Sequence, residues 1–151
     1  MIALTYYSQA TRAFNQEELY QLAYEASSKN RLLSVTGFLH YKKDHFLQYL
    51  EGEEETLLSL MDTITGDERH TVIRVLQLPE VNRRKFEDWY MRYWTASDFN
   101  QIELTDLVEG VLLDMNEHVF GEGVMRQRVM RLITRMAKIH KTFPFRDNQV
   151  K

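Results

Sequence analysis

Cysteine is absent from the sequence, which removes disulfides, thiol nucleophiles and thiolate metal sites and fits a reducing compartment. Two prolines and six glycines in 151 residues are too few for long disordered or low-complexity stretches, so disorder is expected only at the tail. No apolar run approaches membrane-spanning length, and the stretch from Met1 to Tyr7 lacks the positive flank and long apolar core of a signal peptide. A basic excess is missing too: 19 Lys and Arg against 22 Asp and Glu give a net charge of −3, which argues against a nucleic-acid-binding domain. Together these absences predict a cytoplasmic protein that is neither exported nor embedded in a membrane.

Catalytic signatures are lacking as well. His40, His45, His70, His118 and His140 form no His-x3-His pair and no HExxH motif, so no metal site is expected. Gly121-Glu122-Gly123 lacks the third glycine and the preceding strand of a dinucleotide-binding turn, and neither a GxxxxGK loop nor a GxSxG elbow occurs. The acidic residues are too scattered to nominate a catalytic pair.

What is present is an ordinary globular composition, 44% hydrophobic and 27% charged, at a length that suits one domain. The stretch from Ile2 to Tyr7 reads as a strand with Ile2, Leu4 and Tyr6 on one face. Asn15 and Glu18 form a capping-box pair opening a helix that should run to about Lys29. Strands are predicted from Leu33 to Tyr41 and from His45 to Leu50, joined by the hairpin turn Lys42-Lys43-Asp44. Leu57, Leu60, Met61 and Ile64 make a helical stripe ended by Gly66. Further strands are read from Thr71 to Leu78 and from Trp89 to Trp94, joined by a polar connection from Val81 to Asp88.

The order β-α-β-β-α-β-β implies an α+β ferredoxin-like sandwich: a mixed five-stranded sheet with two helices on one face. C-terminal helices follow, an acidic one from Ile102 to Met115 and a basic amphipathic one from Val124 to about Lys141. The basic helix is expected to pack its apolar side on its own protein, with the acidic helix offsetting part of its charge.

Polar or oxidisable residues share the apolar faces of the predicted strands: Tyr6 beside Leu4, Gln48 between Phe46 and Leu50, Trp89 two before Met91. A buried glutamine is costly without partners, so Gln48 needs a side chain, a water or a ligand to bond. Taken singly each such residue reads as structural, but the combination is unusual.

The segments Leu4-Thr5-Tyr6-Tyr7-Ser8, Asn30, Val35-Thr36-Gly37-Phe38-Leu39, Phe46-Leu47-Gln48-Tyr49-Leu50-Glu51-Gly52, Asp67-Glu68-Arg69-His70 and Phe86-Glu87-Asp88-Trp89-Tyr90-Met91 occur in that order. In this the sequence resembles the BLUF domain family, blue-light sensors that use FAD, over roughly residues 1 to 95. The resemblance implies that the isoalloxazine ring lies between the two helices, over the sheet, with its phosphate end toward solvent. It also implies that Tyr6 donates an electron and a proton to the excited flavin and that the hydrogen-bond network at Gln48 rearranges. Asn30, Arg69 and His70 would contact the cofactor, and Trp89 and Met91 would carry the change toward the C-terminal helices.

Two positions depart from the family pattern: Tyr7, where a small residue is commoner, and Lys29, where Asn or His is. The reading divides the chain into a sensor, residues 1–95, and a helical extension, residues 96–151, for output or oligomerisation. Residues 96–151 are expected to leave no room after the sensor for a cyclase or phosphodiesterase domain. The protein is therefore expected to be a non-enzymatic, homo-oligomeric photoreceptor that signals to a downstream effector protein, with no nucleic-acid or membrane partner. A ferredoxin-like hydrolase and a light-independent interaction module compete with this reading, but neither accounts for the ordered set of Tyr6, Asn30, Gln48, Trp89 and Met91.

Overall fold

Alternating side chains let one strand serve two cores, and the first strand does so: β1, Ile2–Ala10, is buried along nearly its whole length. The computed structural model describes residues 1–79, 82–117 and 120–142, the side chains of the last three aside. His118 and Val81 lie outside the described residues, as do the His140 and Lys141 side chains. The sheet also contains β2, Thr36–Lys42, β3, His45–Gly52, β4, His70–Leu78, and β5, Arg92–Trp94. Its order is β4-β1-β3-β2-β5, antiparallel except for the parallel β2–β5 pair. The helices α1, Gln16–Leu33, and α2, Glu54–Thr65, cover one face, and α3, Ala96–Gln101, α4, Thr105–Glu117, and α5, Glu122–Thr142, follow in the chain. The mixed five-stranded sandwich with C-terminal helices is the expected architecture.

Local chemistry explains most boundaries. Asn15 and Glu18 make both capping-box bonds at the start of α1. Lys43 and Asp44, at φ 50° and 64°, form the two-residue turn between β2 and β3, a left-handed pair that matches strand twist. Gly37 is required on β2 because a Cβ there would lie 1.8 Å from the Tyr49 carbonyl oxygen.

Three boundaries differ from expectation. The first helix continues past Lys29 to Leu33, since Leu32 and Leu33 are exposed helical residues, and Ser34 ends it in the left-handed region at φ 56°. The strand read from Trp89 begins only at Arg92, because residues 92–94 alone pair with β2. The acidic helix read from Ile102 starts at Thr105, because Glu103, at φ 60°, breaks the chain there, and a short helix not expected from sequence, α3, capped by Thr95 and Asp98, precedes it.

Two apolar clusters result, one on each side of the sheet. Ile2, Leu4, Tyr6, Leu39 and Leu50 pack with Leu19 and Ala23 of α1 and Leu57 and Met61 of α2. Tyr7, Phe38, Leu47, Tyr49 and Trp94 pack with Phe99, Val108, Met125, Ile133 and Met136 of the C-terminal helices. The acidic and basic helices are tied by Arg128, whose guanidinium bonds both oxygens of the buried Asp114 carboxylate at 2.9 and 3.1 Å. Arg126 donates to the Gln77 carbonyl and to Glu122, so the basic helix is docked on β4 and on itself. Among the described residues no helix is long and apolar enough to cross a membrane.

Candidate cofactor cleft

The clusters differ in how completely they fill. Between α1 and α2 the sheet is left uncovered along a cleft of about 880 Å³, open mouth included. Leu22, Ala26, Lys29 and Asn30 recur at helical spacing and line it from α1, and Leu60, Thr63 and Ile64 line it from α2. The floor is Tyr6, Leu39, Phe46, Gln48 and Leu50; Asp67, Arg69 and His70 stand at one end.

Register brings the central pair together. Tyr6 of β1 lies directly opposite Gln48 of β3, and Leu39 flanks Gln48 from β2. Burial pushes the Tyr6 phenol pKa well up, with the Asp67 charge adding to the effect and Arg69 opposing it, so the hydroxyl keeps its proton at neutral pH. The Gln48 amide nitrogen donates to the Met91 sulfur at 3.0 Å, a weak acceptor that is cheap to give up. Asn30, in the last turn of α1, donates to the Tyr90 carbonyl at 2.9 Å.

Arg69 is clamped on Asp67 by its Nε and Nη2 atoms, and this pairing lowers the Asp67 carboxyl to about 2. It leaves the rest of the Arg69 donors without a partner among the described residues. His70 is committed to the protein at both ring nitrogens: Nε2–H donates to the Ile64 carbonyl at 2.8 Å, and Nδ1 accepts from the Ser8 hydroxyl at 2.7 Å. It walls the cleft and meets Tyr6 edge-on at 5.8 Å.

Five of the seven residues singled out from sequence, Tyr6, Asn30, Gln48, Arg69 and His70, line one cleft. Met91 joins them through Gln48. Trp89 does not: it is buried on the other side of the sheet, stacked on Phe86 at 5.0 Å and tilted against Trp94 at 5.5 Å. A regular strand would put Trp89 and Met91 on one face; the late start of β5 separates them. Sequence reasoning missed the wall residues Leu22, Ala26 and Ile64, whose helical spacing was the available signal, and left the contact at Lys29 open.

The donor set fits a flat heteroaromatic ring. Apolar walls enclose the Tyr6 hydroxyl, the Asn30 amide oxygen and the Gln48 amide oxygen, none of which is bonded among the described residues. Among those residues the sealed, unpartnered side-chain polar atom is His40 Nε2, so the three cleft groups open on the cleft itself. A flavin ring presents donors, acceptors and an apolar edge that can meet all of them.

Comparison with known proteins agrees with this chemistry. The family model described as sensors of blue light using FAD, BLUF, matches residues 1–92. The photoactivated adenylate cyclase subunit beta of Euglena longa is 34% identical over 97 residues, 64% of this chain and 11% of that protein. The subunit alpha of Euglena gracilis is 35% identical over 78 residues, 52% of this chain and 8% of that protein. The chain thus spans about a tenth of the length of these curated relatives. Among solved structures, the dark state of the BLUF protein BlrB superposes with a TM-score of 0.67 at 25% identity, covering 91% of this chain and 95% of that one. Klebsiella pneumoniae BlrP1 with FMN and cyclic diGMP gives 0.57 at 30% identity, covering 91% of this chain and 35% of that one.

Proposed function

The chain belongs to the BLUF family of blue-light sensors that use FAD, and from that premise we propose how its residues divide the work of sensing. When bound, FAD supplies blue-light absorption and an excited ring able to take up an electron and a proton. Tyr6 would be the group to give both, since its oxidisable phenol has kept its proton and sits in the floor of the cleft. With Tyr6 restored to its starting state, the lasting change would be one of hydrogen bonding. Gln48 holds that change: its amide carries a donor and an acceptor, and rotation or tautomerisation exchanges which of them faces the cleft and which faces Met91. Asn30 and Arg69 bind the polar edge of the ring, Lys29 lies beside Asn30, and His70 closes the wall.

The observation that carries this reading is the cross-strand pairing of Tyr6 with Gln48 beneath an open cleft. Residues 1–95 act as the sensor and residues 96–151 as the output and oligomerisation element, which hands the signal to an effector protein. Met91 at Gln48 and Trp89 against Trp94 support that direction of travel. The reading takes no nucleic acid or membrane as partner and places the protein in the cytoplasm, which its lack of cysteine suits.

An absorption spectrum before and after blue illumination tests the assignment. Wild-type protein should shift reversibly to the red. Gln48→Leu should keep its flavin and lose the shift; a normal shift in that variant would overturn the role given to Gln48.

A further inference from the structure

Glu51 is a fully buried carboxylate on the side of the sheet away from the cleft, and the photochemistry above makes no use of it. Burial of such a charge is costly unless hydrogen bonds satisfy it throughout. Four do so, each at 2.9 Å: Oε1 accepts from the Tyr49 hydroxyl and the Lys85 N–H, and Oε2 accepts from the Thr36 hydroxyl and the Phe86 N–H. Arg84 fastens the same corner, donating to the Thr36 hydroxyl at 3.0 Å, the Glu51 carbonyl at 3.2 Å and the Ser34 carbonyl at 2.6 Å.

The backbone held by Glu51 leads directly to Trp89, Tyr90 and Met91, and each of these has its own tether. The Gly37 N–H donates to the Trp89 carbonyl at 2.7 Å. Asn30 holds the Tyr90 carbonyl, and Gln48 holds the Met91 sulfur. Asn30 and Gln48 line the cleft, while Glu51 and Gly37 do not. The segment is therefore tied at one end to groups that face the cofactor and at the other to a carboxylate that does not. Between them Trp89 stacks on Phe86 and leans on Trp94, in the core shared with α3, α4 and α5.

Building on the reading of Gln48 as the light-responsive group, we propose that Glu51 is a positioning residue for signal output. Its carboxylate fixes Lys85 and Phe86, so that a change at Gln48 or Asn30 is delivered to Trp89 and the C-terminal helices instead of being lost as drift of the whole segment. The charge is needed because backbone N–H groups cannot turn away: a carboxylate offers only acceptors, whereas an amide would aim its own N–H at one of them.

The test uses the FAD-loaded full chain, with absorption spectra and amide hydrogen exchange recorded in darkness and in light. Glu51→Gln should keep the full red shift, since Tyr6 and Gln48 are untouched. Its Lys85 and Phe86 amides should exchange at least about tenfold faster in darkness, as expected on loss of a charge-assisted bond. The light-minus-dark exchange difference that wild type gives in α4 and α5 should disappear. Tyr49→Phe, which removes one hydroxyl and leaves both backbone clamps, should retain it. If Glu51→Gln does not fold, Arg84→Ala, made at a half-buried loop position, should reduce the difference in the same direction.

An undiminished difference in the variant that folds overturns the proposal. So does loss of the red shift in Glu51→Gln, which would put Glu51 inside the photochemistry, and so does a wild type that shifts with no exchange difference in α4 and α5. A wild type that binds FAD and does not shift instead sinks the reading of Gln48 beneath it.

Discussion

The two faces of the sheet are built by alternate residues of the same strands, yet they differ in kind. Tyr6, Leu39 and Gln48 look into a cleft; Tyr7, His40 and Tyr49, each one position along, look into a filled core. On the filled side the buried side-chain polar atoms of the described residues have partners, His40 Nε2 excepted: Glu51 accepts four bonds, and Tyr49 donates one of them. On the cleft side Tyr6 and Gln48 keep polar atoms with no partner among the described residues. The difference separates two tasks. A face that must receive a cofactor and change its hydrogen bonds keeps groups unpaired, and a face that must register the change is close-packed, so that small shifts are passed on.

This contrast can be broken by stability measurements on cofactor-free protein. Trp94 is 2% exposed among Phe38, Trp89 and Phe99. Its replacement by Ala should open a closed cavity and cost about 3–5 kcal/mol in urea denaturation. Leu39, equally buried but already bordering the cleft, should cost only about 2 kcal/mol on replacement by Ala, because little new closed cavity forms. Equal losses would mean that the cleft side is packed as tightly as the other and that the contrast is false.

Where local chemistry decided the structure, the sequence was readable. The capping box at Asn15, the turn at Lys43-Asp44 and the helical stripe from Leu57 to Ile64 all lie where local rules place them. The failures were at positions decided by tertiary contacts. Leu33 read as the start of a strand because it is apolar, but Leu32 and Leu33 both extend the first helix with their side chains exposed. Trp89 and Met91 read as one face of a strand, but tethers from Gly37, Asn30 and Gln48 hold that stretch outside the ladder. Tyr6 and Gln48 were each placed on an apolar face, while their direct pairing depends on strand register, which neither segment carries alone. Thr95-Ala96-Ser97-Asp98 was a legible cap that went unread.

A smaller effect sharpens the contrast on the filled side. His40 Nδ1–H donates to the Trp94 carbonyl at 2.7 Å, and Nε2 is sealed without a hydrogen-bond partner among the described residues, its ring edge-on to Phe99 at 4.9 Å. Burial lowers the His40 pKa below its ordinary 6.5, Lys42 adds to this, and the Trp94 carbonyl and Asp98 oppose it. The unfolded chain then binds the proton more readily than the folded one. Stability from this group is complete above about pH 6.5 and is lost as pH falls, by at most about 1.4 kcal/mol per pH unit. Melting curves between pH 7.5 and 5 should show a flatter pH dependence for His40→Gln than for wild type; identical slopes would mean that His40 is not held neutral.

The smallest stability effect belongs to the residue with the largest role. Tyr6→Phe removes a hydroxyl that no described group bonds, so nothing is left unsatisfied and the cofactor-free protein should change by no more than about 0.5 kcal/mol. With FAD bound the same change removes the proton that Tyr6 is proposed to give, and the red shift should vanish while the flavin spectrum remains. Tyr7→Phe is the matched control: Tyr7 stacks on His45 at 5.0 Å on the opposite face and should leave the shift intact. If Tyr6→Phe shifts normally, the phenol is not the donor. If both variants lose the shift, the faces are coupled more tightly than alternate side chains allow, and the division between a responsive face and a receiving one fails with them.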